Sequence, residues 1–140
     1  MSMAKNTETD YLSVRSCYAN PNGVDISVPF TVSLDAEILR PVVDAQWRLV
    51  YMFDMAQTRL EVSLADCAVG NIPCGPVSVN LDCRIDPSGI ERKVLLNCGL
   101  LSVKLFSGEV EVACVNLVNE VQKRKNENGT RVYVRTTWGV

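Results

Sequence analysis

Histidine is absent from this 140-residue chain. That gap removes a Ser/His or Cys/His nucleophile pair, a His general base and a His-ligated zinc or haem. Long apolar runs are missing too, and nothing approaches the ~20 residues a membrane helix needs. None of the six cysteines, Cys17, Cys67, Cys74, Cys83, Cys98 and Cys114, forms a C-x-x-C pair, which excludes the common zinc and thioredoxin spacings. Gly70 and Gly75 flank Pro73 without the G-x-G-x-x-G or G-K-S/T context of a phosphate loop. Eight glycines and six prolines, scattered, exclude a linker or collagen-like chain. The sequence therefore predicts no catalytic residue, metal or cofactor, and the domain is expected to be non-enzymatic.

What is present is an ordinary globular composition. At 47% hydrophobic and 21% charged, the chain supports one domain, expected over residues 11–140 behind a flexible N-terminus of residues 1–10. Met1 to Glu8 lacks a charged-then-apolar signal, so a reducing compartment is expected and the cysteines read as small buried hydrophobes. The Asn128-Gly129-Thr130 match to a glycosylation acceptor then carries little weight.

The net charge of −2 is unevenly spread. Residues 1–120 carry 9 basic and 15 acidic side chains, hence −6, whereas 121–140 carry 5 basic and 1 acidic, hence +4. An acidic body suits a basic partner better than nucleic acid, whose affinity comes from neutralised phosphates, and no direct nucleic-acid or membrane contact is expected. Lys123-Arg124-Lys125 reads first as a solvated loop, with a localisation or phosphate patch as the alternative.

Period-two alternation dominates. Ile26, Val28, Phe30, Val32 and Leu34 alternate with polar residues and Pro29, giving a strand with one apolar face. Similar stretches run Leu12 to Tyr18, Ala45 to Phe53, Leu60 to Ala68, Val77 to Cys83, Leu95 to Phe106, Val110 to Val118 and Arg131 to Trp138. Turn signals separate them at Asn20-Pro21-Asn22-Gly23, Gly70 to Gly75, Asp86-Pro87-Ser88-Gly89 and Ser107-Gly108. About eight strands in two packed antiparallel sheets are predicted. Only Asp54 to Arg59 and Asn119 to Lys125 have helical character. An antibody-type Cys17, Trp47, Cys114 pattern is disfavoured by the thirty residues between the first two.

Carboxylate pairs such as Glu109 with Glu111, or Asp82 with Asp86, are the remaining catalytic option, and on strands such acids are usually solvated. Binding through a sheet surface fits better. Alternation in Leu95 to Phe106 places Leu101, Val103 and Leu105 on one face and Cys98, Leu100, Ser102 and Lys104 on the other, making Leu100 an apolar residue of the outer face. The terminal strand Arg131 to Trp138 is expected at a sheet edge, open to a foreign strand, with its arginines discouraging nonspecific pairing.

At Trp47 the pattern becomes more specific. Trp47-Arg48-Leu49-Val50-Tyr51, followed by Leu64-Ala65-Asp66-Cys67-Ala68-Val69-Gly70-Asn71-Ile72-Pro73-Cys74-Gly75, resembles in order and spacing W-[KR]-h-h-Y and L-D-S-h-h-V-G-P-h-P-x-G, h being apolar. These are segments of the anti-silencing function family of histone chaperones. Val118-Asn119-Glu120 is similar to the family's V-N-N-E strand ending, and Arg131 to Trp138 to its closing R-V-x-R-F-x-h-x-W strand. The similarity spans Leu12 to Trp138.

The resemblance implies an immunoglobulin-like β-sandwich that binds the histone H3/H4 dimer, blocks tetramer formation, and delivers histones for nucleosome assembly and disassembly. It implies a nuclear protein, shuttling with the cytoplasm and monomeric when free, that also engages larger assembly chaperones through a basic peptide. Glu61 stands at the family's acid for histone H3, and Leu100 near its central apolar contact, flanked by Cys98 and Ser102. Arg131, Val132 and Val134 lie in the strand that would pair the H4 tail. Asp44 matches one of two acids for the partner chaperone, beside Cys67 and Val69. The chain departs from the family at Val43, which replaces the second acid, and at Glu111 and Val112, where a histone-contacting arginine is lost. Val115 and Asn116 replace tandem tyrosines, and the segment from Val121 to Gly129 is shortened. A cytosolic sandwich holding a lipid or protein cargo is the alternative, and it would need a cavity between its sheets.

Overall fold

The computed structural model describes residues 10–53, 60–88, 90, 96 and 98–140. Residues 1–9 of the expected flexible N-terminus, the stretch from Asp54 to Arg59, and Leu95 at the expected start of a strand lie outside them. Nine strands run through the described residues: β1 Leu12–Asn20, β2 Val24–Asp25, β3 Phe30–Ile38, β4 Val42–Phe53, β5 Leu60–Ile72, β6 Gly75–Cys83, β7 Gly99–Ser107, β8 Val110–Lys125 and β9 Arg131–Trp138. They form a three-stranded sheet, β1-β3-β6, and a six-stranded sheet, β2-β9-β8-β7-β4-β5. Every pairing is antiparallel. The all-β sandwich is thus as the alternation requires, with one strand more than about eight.

Period two explains the packing. Phe30, Val32, Leu34, Ala36 and Ile38 of β3 are buried, and so are Trp47, Leu49 and Tyr51 of β4, Leu101, Val103 and Leu105 of β7, and Ala113, Val115 and Leu117 of β8. These residues sit at alternate positions, so each strand sends one row between the layers. Each large side chain buried this way stabilises the fold by roughly 1.5–3 kcal/mol.

Three expectations about the elements are corrected. Ile26 to Leu34 is not one strand: residues 26–29 turn, with Val28 N–H donating to Asp25 O (3.0 Å), and β3 begins only after Pro29, which has no N–H for a ladder. Asn119 to Lys125 is not helical but the far end of β8, held in register by β9. Strand β7 starts at Gly99, where a Cβ would lie 2.5 Å from the Met52 carbonyl oxygen, so only glycine allows this approach to β4.

The arginines of β9 were expected at the surface, yet Arg135 is fully buried. Its Nη1 donates to Asn22 Oδ1 (3.0 Å) and Thr137 Oγ1 (2.6 Å), and its Nη2 to Pro21 O (2.6 Å). The guanidinium lies 3.9 Å from the Phe30 ring centroid, a cation–π stack that replaces part of its lost hydration. Burial holds its pKa below the usual arginine value. The network continues through Thr137 Oγ1, which donates to Asn119 Oδ1 (2.7 Å), to Asn119 Nδ2, which donates to Tyr51 Oη. β4, β8, β9 and the 20–23 turn are thereby tied together by polar contacts inside the sandwich.

Candidate protein-interaction site

Three strands cannot cover both faces of six. The six-stranded sheet uses its inner face for the core, and among the described residues no layer covers its outer face. Cross-strand register builds one row across that outer face: Glu61 opposes Met52, Met52 opposes Leu100, Leu100 opposes Val118, and Val118 opposes Trp138. Directly opposed residues share a face, so five neighbouring strands present one acid and four apolar side chains in line. Four strand spacings of ~4.8 Å make the row about 19 Å long.

Within it, Leu100 is only 8% exposed, whereas Trp138 is 57% exposed. Ser102, two residues along, is buried and its Oγ donates to Asn116 Oδ1 (2.6 Å). Cys98 is exposed just before β7. Leu100, Ser102 and Glu61 therefore come together on this face, with Cys98 at its rim. Sequence reasoning missed Met52, Val118 and Trp138. Each occupies an outward position in an alternating strand, and the signal lacking was the register that aligns strands far apart in sequence.

Toward the other end of this face the charged groups are internally paired. Arg48 Nε lies 3.5 Å from Asp66 Oδ1 and its guanidinium 4.4 Å from the Phe106 ring centroid. Lys104 Nζ lies 3.2 Å from Glu111 Oε1. Glu61 and Glu120 border the apolar row and form no ion pair among the described residues. The apolar end thus keeps an uncompensated negative rim, while the charged end neutralises itself.

The predicted strand-pairing residues are placed differently from expectation. β9 is not an open edge, because residues 22–26 cap it. Gly23 N–H donates to Arg135 O (2.9 Å), Ile26 N–H to Tyr133 O (2.7 Å), and β2 pairs Asp25 with Val134. Thr137 gives its N–H to Asn22 Oδ1 (2.9 Å) and takes Asn22 Nδ2 on its carbonyl (3.0 Å). Val134 is buried, and only Arg131 and Val132 lie beyond the cap. A foreign strand cannot pair along most of this segment, since the donors and acceptors it needs are already used.

Cys67 and Val69 line a groove of about 270 Å³ with Trp47, Ile72, Val77 and Val79. It opens between β5 and β6, the outermost strands of the two sheets. Asp44 is exposed at the β4–β5 bulge with φ +53°, a conformation aspartate tolerates better than most residues. Its N–H donates to Asn71 Oδ1 (3.0 Å) and its carbonyl accepts from Gly108 N–H (2.9 Å), which fixes the backbone at the bulge, and its carboxylate lies toward Gly108 of the β7–β8 turn.

The paired acids are engaged in structure. Glu109 lies in the β7–β8 turn, off the strand it was expected to share with Glu111, and Glu111 holds Lys104. Thr31 Oγ1 donates to Asp82 (2.5 Å), and Ser88 donates to Asp86 through both N–H (3.0 Å) and Oγ (2.7 Å). These serine bonds hold the Asp86 carboxyl below its ordinary pKa. Trp47 and Phe30, at 1% and 3% exposed, fill the space between the layers that an enclosed cargo would need. No protein-family model and no curated protein matches this chain.

Proposed function

We propose that this domain is a non-catalytic histone chaperone, a divergent relative of the anti-silencing function proteins, that takes the H3/H4 dimer on the outer face of its six-stranded sheet. The observation that carries this is the row Glu61, Met52, Leu100, Val118 and Trp138 on a sheet face that no layer among the described residues covers. A helix of about 13 residues matches its ~19 Å length. Its apolar stripe would bury Trp138 and the rims of Met52 and Val118, while Glu61 and Glu120 attract basic residues beside it. The motif resemblance supplies the identity of the helix, and the acidic body raises its association rate.

Two parts of the family pattern are used differently. The capped β9 leaves only the Arg131–Val132 end for an H4 segment, so the sheet face carries the binding. The β5–β6 groove with Asp44 is the second contact, for the basic peptide of a larger assembly chaperone, and Val43 in place of an acid weakens it. Nuclear residence and nucleosome assembly belong to the same proposal.

Light scattering of the purified protein mixed with H3/H4 tests it. One chaperone per histone dimer is expected, and a histone tetramer that persists beside free chaperone overturns the proposal. Trp138→Arg should abolish the complex while the domain stays folded, because this side chain is 57% exposed in the free domain and an unpaired charge within an interface costs several kcal/mol.

A further inference from the structure

The run Lys123-Arg124-Lys125 is not the loop it resembles in sequence. It forms the last residues of β8, with Lys123 opposite Tyr133, Arg124 opposite Val132 and Lys125 opposite Arg131. β7 stops pairing with β8 at Asn119, and β2 reaches β9 only at Val134 and Arg135. From Arg124 and Val132 outward a two-stranded ribbon therefore pairs with no other described strand, and residues 122–131 are all exposed. Residues 121–134 hold four basic and one acidic side chain, hence +3, against −6 for residues 1–120.

Register sorts these charges. Lys123, Lys125 and Arg131 share one face with Tyr133 at its root, and Arg124 lies on the other, its Nη2 donating to Gln122 Oε1 (2.8 Å). Lys125 and Arg131 sit directly opposite each other, a like-charge pair that destabilises a ladder unless an anion lies between them. None of the four cations forms an ion pair among the described residues. The acids beside Tyr133 are Asp25 and Asp86, and each accepts bonds from its own neighbour, Ser27 or Ser88. Glu127 in the turn is the one acid of the arm.

We propose that this hairpin arm binds the phosphate backbone of duplex DNA. A two-stranded β-ribbon fits the major groove, where rows of phosphates flank it on both sides, and cations on both faces of the ribbon meet that arrangement. An acidic protein segment would satisfy only one face. The acidic body repels the same polyanion, which confines contact to the arm and makes it weak and salt-sensitive. The whole-chain charge balance, from which no nucleic-acid contact was expected, averages over this separation. The arm lies beyond Val118 and Trp138 along the strands and needs no histone to act.

Fluorescence polarisation of a labelled duplex of about 20 base pairs with the full chain tests this. With three phosphates neutralised, log K should fall with log salt at a slope of about −2.7. The triple variant Lys123→Gln, Lys125→Gln, Arg131→Gln should bind at least tenfold more weakly at about 50 mM salt and lose most of that slope, with its thermal melting unchanged. No binding by the parent chain at low salt, or equal binding by the variant, overturns the proposal. Displacement of the duplex by oligoglutamate at equal charge concentration would also overturn it, in favour of an acidic protein partner. Trp138→Arg leaves the arm intact, so the histone experiment can fail while this one succeeds, and the reverse.

Discussion

The two sheets turn opposite kinds of face to solvent. On the three-stranded sheet the outward positions are polar and mutually bonded: Thr31 with Asp82 (2.5 Å), Ser33 with Asn80 (2.7 Å), Arg15 with Glu37 (2.8 Å). On the six-stranded sheet the corresponding positions include Met52, Leu100, Val118 and the half-exposed Trp138. Both faces belong to strands whose inner rows already complete the core. Leu100 is buried there, whereas the exposed Trp138 adds little the fold requires, and a contiguous apolar stripe that ends exposed is what a binding face presents. The first face shows what the same geometry looks like when water is its only partner.

The largest effect that sharpens this contrast comes from setting Leu101 of β7 against Trp138 of β9. Leu101→Ala opens a cavity in the core and should cost about 2–5 kcal/mol in urea unfolding. Trp138→Ala, on the outer face, should cost under about 1 kcal/mol of stability, because its side chain is already half in water, yet weaken H3/H4 binding by tenfold or more. If Trp138→Ala unfolds the domain as Leu101→Ala does, the stripe is structural and the contrast fails. Binding unchanged in a folded Trp138→Ala would remove the stripe from the interface.

Much of this contrast was legible from one strand at a time. Alternation placed Leu101, Val103 and Leu105 inside and Leu100 and Ser102 outside, because a pleated strand leaves no other choice. Register was not legible. Nothing in the segments holding Met52 and Trp138 says that they flank the same row, since strand order depends on the whole topology. β2 escaped notice because two residues carry no period, and with it went the cap that closes β9. The polar run from Asn119 to Lys125 has helix-forming residues, and pairing with Arg131 to Trp138 overrode that preference. Arg135 read as a surface guard because its partners, Asn22 and Phe30, lie more than a hundred residues upstream.

A second contrast lies in the thiols. The three-stranded sheet holds the buried Cys17 and Cys83, and burial pushes both pKa values up to about 12, from 9.0. Cys67 and Cys98 of the six-stranded side are exposed. Well below pH 9 the Cys17 and Cys83 thiols are protonated in both states and stability does not depend on them. Above it the unfolded chain loses protons that the folded chain keeps, so stability falls as pH rises, by up to about 1.4 kcal/mol per pH unit for each buried thiol. Unfolding at pH 10.5 should show a loss of about 2 kcal/mol per buried thiol relative to pH 8. Cys17→Ala with Cys83→Ala should flatten that dependence, whereas Cys67→Ala should leave it unchanged. An equally steep fall in the double variant would assign alkaline instability to other groups, with Tyr51, whose hydroxyl burial also raises, the first of them.

The smallest effect concerns the polar face itself. Ser33 Oγ donates to Asn80 Oδ1 (2.7 Å) across β3 and β6, at an exposed position where water offers both groups an equal partner. Replacing both with alanine removes a bond whose net worth is about 0.5–1.5 kcal/mol at most, and less where both ends are hydrated before and after. Stability should therefore shift by under about 1 kcal/mol, and H3/H4 stoichiometry should stay as it is, because neither residue shares a face with Leu100. A loss of histone binding in this double variant would put the partner on the three-stranded sheet. The polar and apolar faces would then have exchanged roles, and the row from Glu61 to Trp138 would need another explanation.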